Sequence, residues 1–418
     1  MPSAGDITMS TVELDRMNVF MAVREAERPA RRAAFSLAAP LIAFLVAAFL
    51  APILYLLVTA VGNYETREVL PRTLVALESW DGTATPDEAV YEALATDLKI
   101  AKANSTAALL GKRLNYERPG MRSRVLSATR IVNKLDARPY KEKFLALHHD
   151  WASPDLWAII KRNGAPVTPY YLLTALDLEQ APDGSLQATR GDQAIFVNVL
   201  GRTLLVAGLV TLFTLLLGYP VAYILTIAPK AIAGIMMLMV LLPLWTSLLV
   251  RTTAWVVLLQ SDGIINDVLM ALHLTGERVQ LIFTRFGTVV AMMHIQLPFT
   301  ILPIYSVMRS ISTTQLRAAR SLGAGPLSAF WRIYAPQTLP GVVAGCLITF
   351  ILSLGYYITP ALVGGPRDQM VSNFISVYIN RDLNWGLACA LGGVLLVVTF
   401  AIYLLFLRLV GADKIKLG

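Results

Sequence analysis

Apolar residues gather along the chain in continuous runs rather than in alternation. Six runs approach or exceed the roughly 20 residues needed to cross about 30 Å of hydrocarbon. They lie near 35–60, 195–228, 232–259, 286–308, 339–363 and 386–409. Each is rich in Leu, Val and Ala and shows no period-two alternation, which excludes a closed β-barrel. The expected fold class is an all-α integral membrane protein with a six-helix transmembrane bundle. Pro40, Pro52, Pro220, Pro243, Pro298, Pro303, Pro340 and Pro360 interrupt these runs and invite kinks, because proline has no amide hydrogen to give the helix.

Between the first two runs, residues 62–192 are mixed in charge and dense in Lys, Arg, Asp and Glu. Val90, Leu94 and Leu98 recur four apart, and Met121, Val125, Leu126, Thr129, Val132 and Leu135 share one face of a later helix. A small, mostly helical domain is expected there, with Trp151 and Trp157 in its core. Asn163-Gly164, Pro166 and Pro169 mark turns near its end. His148-His149-Asp150 invites a metal reading, but adjacent helical histidines point to different faces and no further donor completes a site, so no metal is expected.

Composition supports the membrane reading: of 418 residues 56% are hydrophobic and only 15% charged, and mean hydropathy is +0.58. The net charge of +8 could suggest nucleic acid, yet the basic residues that lack acidic partners sit in short segments beside apolar runs. An anionic inner leaflet favours that placement, and no nucleic-acid partner is expected. Residues 309–337 carry Arg309, Arg317, Arg320 and Arg332 with no acid, which places them inside the cell. The loop from Ser261 to Arg285 sets Asp262, Asp267 and Glu277 against Arg278 and Arg285, which suits the outside. The apolar run after Arg24, Arg28, Arg31 and Arg32 is too long for a signal-peptide core, so an uncleaved first span is expected.

The resulting organisation is a cytoplasmic tail at 1–34, a first span at 35–61, an extracytoplasmic inserted domain at 62–192, a five-span core at 193–410 and a cytoplasmic tail at 411–418. Cys346 and Cys389 both lie within apolar runs and have no metal-ligand spacing.

The polar segment 309–337 has internal punctuation. Ser312-Thr313-Thr314-Gln315 reads as a capping box and starts a helix; Gly323-Ala324-Gly325-Pro326 ends it and starts a second one bearing Leu327, Phe330, Trp331 and Tyr334. Two short amphipathic helices need a partner or a lipid surface to cover them.

Arg317-Ala318-Ala319, Gly323 and Ile333-Tyr334-Ala335-Pro336 keep the spacings of a known signature. It is that of the permeases of binding-protein-dependent ABC importers, in which the pattern is Glu-Ala-Ala, three residues, Gly, nine residues, Ile-x-Leu-Pro. Arg317 stands where that family usually has Glu, and Ala335 where it usually has Leu. The stretch Leu241–Leu269, with LGYPVAYIL at 217–225 and the LPF and ILP triplets at 297–303, resembles the spermidine/putrescine-type permeases in particular.

The resemblance implies a type I importer bundle in which Leu316, Arg317, Ala318, Ala319, Leu322 and Gly323 form a coupling helix seated on an ATPase. It implies as partners two ATPase subunits, a second permease subunit that is a different chain, and an extracytoplasmic solute-binding protein, all in a bacterial inner membrane among lipid. No GxxxxGK[ST] loop is present, so this chain is expected to bind no cofactor and ATP and Mg are left to the partner. An importer permease for a polyamine is the leading functional expectation. Tyr219, Trp245, Arg251, Trp255, Asp262 and Tyr356 are the candidates for the solute path, as aromatic faces, outer-mouth acids and the one cation well inside a run. The alternatives are an importer of another small solute, amino-acid-like, opine-like or anionic, or a membrane sensor with an outer ligand domain.

Overall fold

The computed structural model describes residues 35–134, 137–181, 184–191 and 193–410; the tails expected at 1–34 and 411–418 lie outside the described residues. Contacts divide the chain at Val58. The described part of the first unit is helix α1 (Phe35–Thr59) up to Val58, apolar and exposed nearly throughout. At 1.5 Å per residue it is about 38 Å long, enough to cross a bilayer.

The second unit begins with short helices: α2 (Glu65–Val69), α3 (Pro71–Glu78), α4 (Glu88–Ala103), α5 (Ala107–Glu117), α6 (Met121–Ile131), α7 (Tyr140–Leu147), α8 (Pro154–Arg162) and α9 (Tyr170–Ala175). A hairpin of β1 (Leu178–Gln180) and β2 (Leu186–Ala188) follows, pairing Leu178 with Ala188 and Gln180 with Leu186. The periodic residues meet in one core: Val90, Leu94 and Leu98 of α4 and Met121 and Val125 of α6 are all buried. Trp151 and Trp157 complete it, with the Tyr91 ring edge-on to Trp157 at 5.0 Å and Phe144 edge-on to Trp151 at 5.5 Å. Each such side chain contributes about 1.5 to 3 kcal/mol by leaving water. The helices also cap one another, since the Glu88 carboxylate accepts the Tyr140 and Lys141 amides that open α7.

Six stretches are long and apolar enough to cross a membrane: α1, α10 (Phe196–Ile227), Leu248–Ala271, α14 (Arg285–Ser310), α16 (Pro326–Gly355) and Trp385–Arg408. Two of the runs are not the continuous helices expected. The run 232–259 splits into α11 (Lys230–Trp245) and α12 (Leu248–Leu259), followed by α13 (Ile264–Ala271). Thr246 is extended and the Ser247 hydroxyl accepts the Val250 amide, so a hydroxyl cap wins over continued helix. The run 339–363 begins earlier, at Pro326, and breaks after Gly355 before α17 (Ile358–Val363). Pro360 has no amide hydrogen for the Tyr356 carbonyl, so a continuous helix would leave that carbonyl orphaned. The second short helix expected near Leu327 is therefore the first turns of a span. Short α15 (Thr313–Ser321) lies between α14 and α16, and α18 (Val371–Asn380) precedes α19 (Trp385–Val410).

Helices α10, α14 and α16 form the packed centre. A Cβ on Gly345 would stand 2.7 Å from the Thr300 carbonyl oxygen, which shows how closely the α14 and α16 backbones approach. Across that seam Thr300 and Thr349 share a hydrogen bond of 2.6 Å, and Ser353 donates to Gln296 Oε1 at 2.9 Å. The rungs are four residues apart on each helix, as one face requires.

The helical region 62–192 sits firmly on this core. Tyr171 of α9 packs so tightly against the start of α19 that a Cβ on Gly386 would clash with its ring. Lys112 donates to the Leu383 carbonyl at 2.7 Å, and the Asp177 carboxylate accepts the Phe196 and Val197 amides that open α10.

Candidate functional site

The coupling candidates lie on and just past α15. Ser312 caps the helix by accepting the Thr314 amide at 3.3 Å, one residue earlier than the expected Gln315; both positions serve an N-cap. At the other end the Gly323 amide bonds to the Arg320 carbonyl and the Ala324 amide to the Ala319 carbonyl, while Gly323 takes a left-handed φ of +88°. That pair of bonds is a Schellman motif, and the φ is one that glycine adopts without strain. Ala319 is buried and so fixes the helix from beneath. Arg317 and Ala318 are exposed, Leu316 is half-buried, Leu322 is 88% exposed, and a Cβ on Gly323 would meet open space. An exposed leucine on a rigidly capped helix loses water-facing apolar area when a partner covers it.

The solute-path candidates separate into groups. Trp255, one turn along α12 from Arg251, meets a residue that sequence reasoning missed. Trp255 donates from Nε1 to His294 Nδ1 at 3.2 Å with the two rings edge-on at 5.6 Å, while Tyr356, just past the end of α16, packs with Val206, Val210 and Met292. Arg251 has buried Nε and Nη1 atoms without a hydrogen-bond partner among the described residues. Nearby in sequence on α14, Gln296 is fully buried and its Nε2 also lacks a partner. His294 and Gln296 carry a legible signal, as isolated polar residues inside an apolar run.

Tyr219 belongs elsewhere. It donates or accepts at 3.1 Å with Thr338 and joins Tyr223, Phe330 and Tyr334 in an aromatic cluster that ties the end of α10 to the first turns of α16. Trp245 ends α11 with 73% exposure. Asp262 is almost wholly exposed and pairs with Arg278 at 3.2 Å. Neither stands with Arg251.

In the region 62–192 the ionic groups are buried together. Arg113, fully buried, donates to Asn63 at 3.0 Å and Asn163 at 2.6 Å, pairs with Glu117 at 2.9 Å and lies over the Tyr170 ring at 4.8 Å. The expectation that His148 and His149 face apart is incorrect. His148 has an extended backbone ahead of a short 3-10 turn, and the two rings lie 4.3 Å apart with Asp150 beside them. Arg118 and Arg124 both pair with the Asp150 carboxylate, which already gives it two cations.

Helical spans joined by polar rungs, with a capped and exposed helix between two of them, describe a multi-pass membrane protein. The chain belongs to the binding-protein-dependent transport system inner membrane component family, whose profile matches residues 205–415. It is an ABC importer permease subunit and a multi-pass inner-membrane protein. The spermidine/putrescine transport system permease protein PotB of Salmonella typhimurium (strain SL1344) is 31% identical over 214 residues, 51% of this chain and 75% of that protein. PotB of Escherichia coli (strain K12) is 30% identical over 220 residues, 53% of this chain and 80% of that protein. Among solved structures, a bacterial alginate ABC transporter in complex with alginate pentasaccharide-bound periplasmic protein is similar with a TM-score of 0.44 and 20% identity, over 53% of this chain and 80% of that chain.

Proposed function

We propose that this chain carries a small polar organic solute, a polyamine such as spermidine or putrescine, by alternating access driven by a partner ATPase. The observation that carries the coupling half is the exposed, doubly capped α15 between α14 and α16, with Leu322 and Gly323 at its outer end. ATPase closure would push on α15, and α14 and α16, bound along their polar rungs, would move together. ATP and Mg stay in the partner. Two ATPase subunits, a second permease subunit and an extracytoplasmic solute-binding protein complete the assembly. Both termini are assigned to the cytoplasm, and residues 62–192, outside, guide the binding protein to the entrance.

Similarity to the two PotB proteins supports the polyamine half. Trp255 and Tyr356 offer aromatic faces to a cation, worth roughly 0.5 to 2 kcal/mol each. A second reading, an importer of an anionic or zwitterionic solute, is favoured by Arg251, since α10, α11, α12, α14, α16 and α19 contain no Asp or Glu.

The test is to purify the complex by a tag on this chain and measure ATP hydrolysis with solutes presented by its binding protein. Stimulation by spermidine or putrescine supports the proposal. Stimulation only by a carboxylate-bearing solute moves the reading to the second class. A stable preparation that contains no ATPase would refute coupling.

A further inference from the structure

Helix α15 has a second face. Behind it, a cavity of about 490 Å³ is lined by Tyr223 of α10, Arg309 at the end of α14, Leu316 and Arg320 of α15, and Phe330 and Tyr334 of α16. Ala318, Ala319, Leu322 and Gly323 line a different groove. The cavity lies where α10 ends at Ile227 and α14 ends at Ser310, which is the level at which apolar spans give way to polar chain.

Its chemistry is divided. The aromatic rings and Leu316 form an apolar wall, while Arg309 and Arg320 supply two guanidiniums and no acidic residue lines the space. Arg309 donates to the Tyr305 hydroxyl at 2.6 Å, and Arg320 makes no ion pair among the described residues. The surrounding segment 309–337 contains four arginines and no Asp or Glu. A bare soluble anion would satisfy the arginines but would lose hydration against the aromatic wall. An amphiphile with an anionic head satisfies both sides, and guanidinium suits a phosphate oxygen pair.

We propose that this cavity holds the headgroup of an anionic phospholipid from the adjacent leaflet, with its glycerol and upper acyl carbons against Tyr223, Phe330 and Tyr334. The lipid braces α15 from behind, so the charge of the leaflet sets how firmly the coupling helix is held. The lipid site stands on the cavity itself; the coupling role of α15 rests on the function proposed above.

The experiment places the intact chain, with whatever subunits accompany it, in nanodiscs of phosphatidylcholine mixed with phosphatidylglycerol and counts retained lipids by native mass spectrometry. The expected result is preferential retention of phosphatidylglycerol. The Arg309→Gln/Arg320→Gln variant should lower that preference by about fivefold per arginine, on the order of twenty-five-fold together. Arg309→Lys/Arg320→Lys keeps the charge and should keep most of the preference, which guards against a variant that merely misfolds. Arg332→Gln, in the same basic segment but outside this cavity, should leave it unchanged. Equal retention of the two lipids by the parent, or an equal loss in Arg332→Gln, overturns the proposal. Displacement of the lipid by soluble glycerol phosphate also overturns it and assigns the site to a free anion. A preparation without an ATPase would defeat the coupling reading alone, because lipid retention is read on this chain.

Discussion

In the region 62–192 Arg113, Glu117 and Asp150 are buried with their ionic partners, whereas the arginines of α15 are left for something else to meet. Arg113 is enclosed by Glu117, Asn63, Asn163 and two tyrosine rings, and Asp150 by Arg118 and Arg124. Helix α15 shows Arg317, Ala318 and Leu322 to the outside and holds its shape through backbone caps. On the function proposed above, the difference separates a part that is finished within the chain from a part that a partner would complete. Burial of charge is tolerable only where each group is paired, so the first region loses much when one member is removed. Exposed small residues contribute little to stability, so substitutions there should act on function.

The comparison breaks most sharply at Gly323. Gly323→Asp puts a charged side chain at a left-handed position on the exposed tip and should abolish solute uptake while the amount of chain in the membrane stays at the parental level. Uptake assays paired with immunoblots read both, and parental uptake would remove α15 from the coupling role.

The matching change in the enclosed region is Arg113→Met, which strands the buried Glu117 carboxylate. It should cost about 3 to 5 kcal/mol locally. Hydrogen exchange should then show lost protection in α5, α8 and α9, with α14 and α16 unchanged.

A smaller effect is expected at Gly386→Ala, where the added methyl meets the Tyr171 ring. Overpacking of this kind costs about 1 to 3 kcal/mol. Exchange should quicken in α9 and the start of α19 but not in α3 or α4, and uniform loosening would contradict a local clash.

The smallest effect is set by pH. Burial raises the Asp97 carboxyl above its ordinary 3.8, against the opposing hydrogen bonds from Thr73. The folded state therefore holds this proton more tightly than the unfolded one. The contribution favours folding below 3.8 and is lost as pH rises through the raised value. Protection of α3 and α4 should weaken over that rise, and Asp97→Asn should flatten the dependence; a variant as pH-sensitive as the parent would assign it to other groups.

Much of α15 is legible in the amino-acid sequence. Ser312, Gly323 and Pro326 are cap residues whose preferences are local, and local preferences survive in the fold. The core face of α4 and α6 is legible for the same reason, as a period. The breaks at Thr246 and after Gly355 are not, because an apolar run measures length and not where its hydrogen-bond ladder is cut. The solute-path candidates disperse because aromatic type says nothing of depth: Trp255 stands one turn from Arg251 and bonds to His294, while Tyr219 packs against Phe330 at the start of α16. His294 and Gln296 are invisible to a criterion of charge alone, although a polar residue inside an apolar span is costly enough to be a signal by itself. For His148 and His149 a helical assumption fails, since the extended backbone at His148 brings both rings together.

The most direct test of the coupling claim is a photoreactive residue in place of Leu322, activated in the purified intact complex. The account predicts capture of the ATPase subunit at this position, since Leu322 is 88% exposed beside Gly323 at the end of α15. Capture of lipid alone, with the ATPase present in the same preparation, would contradict it.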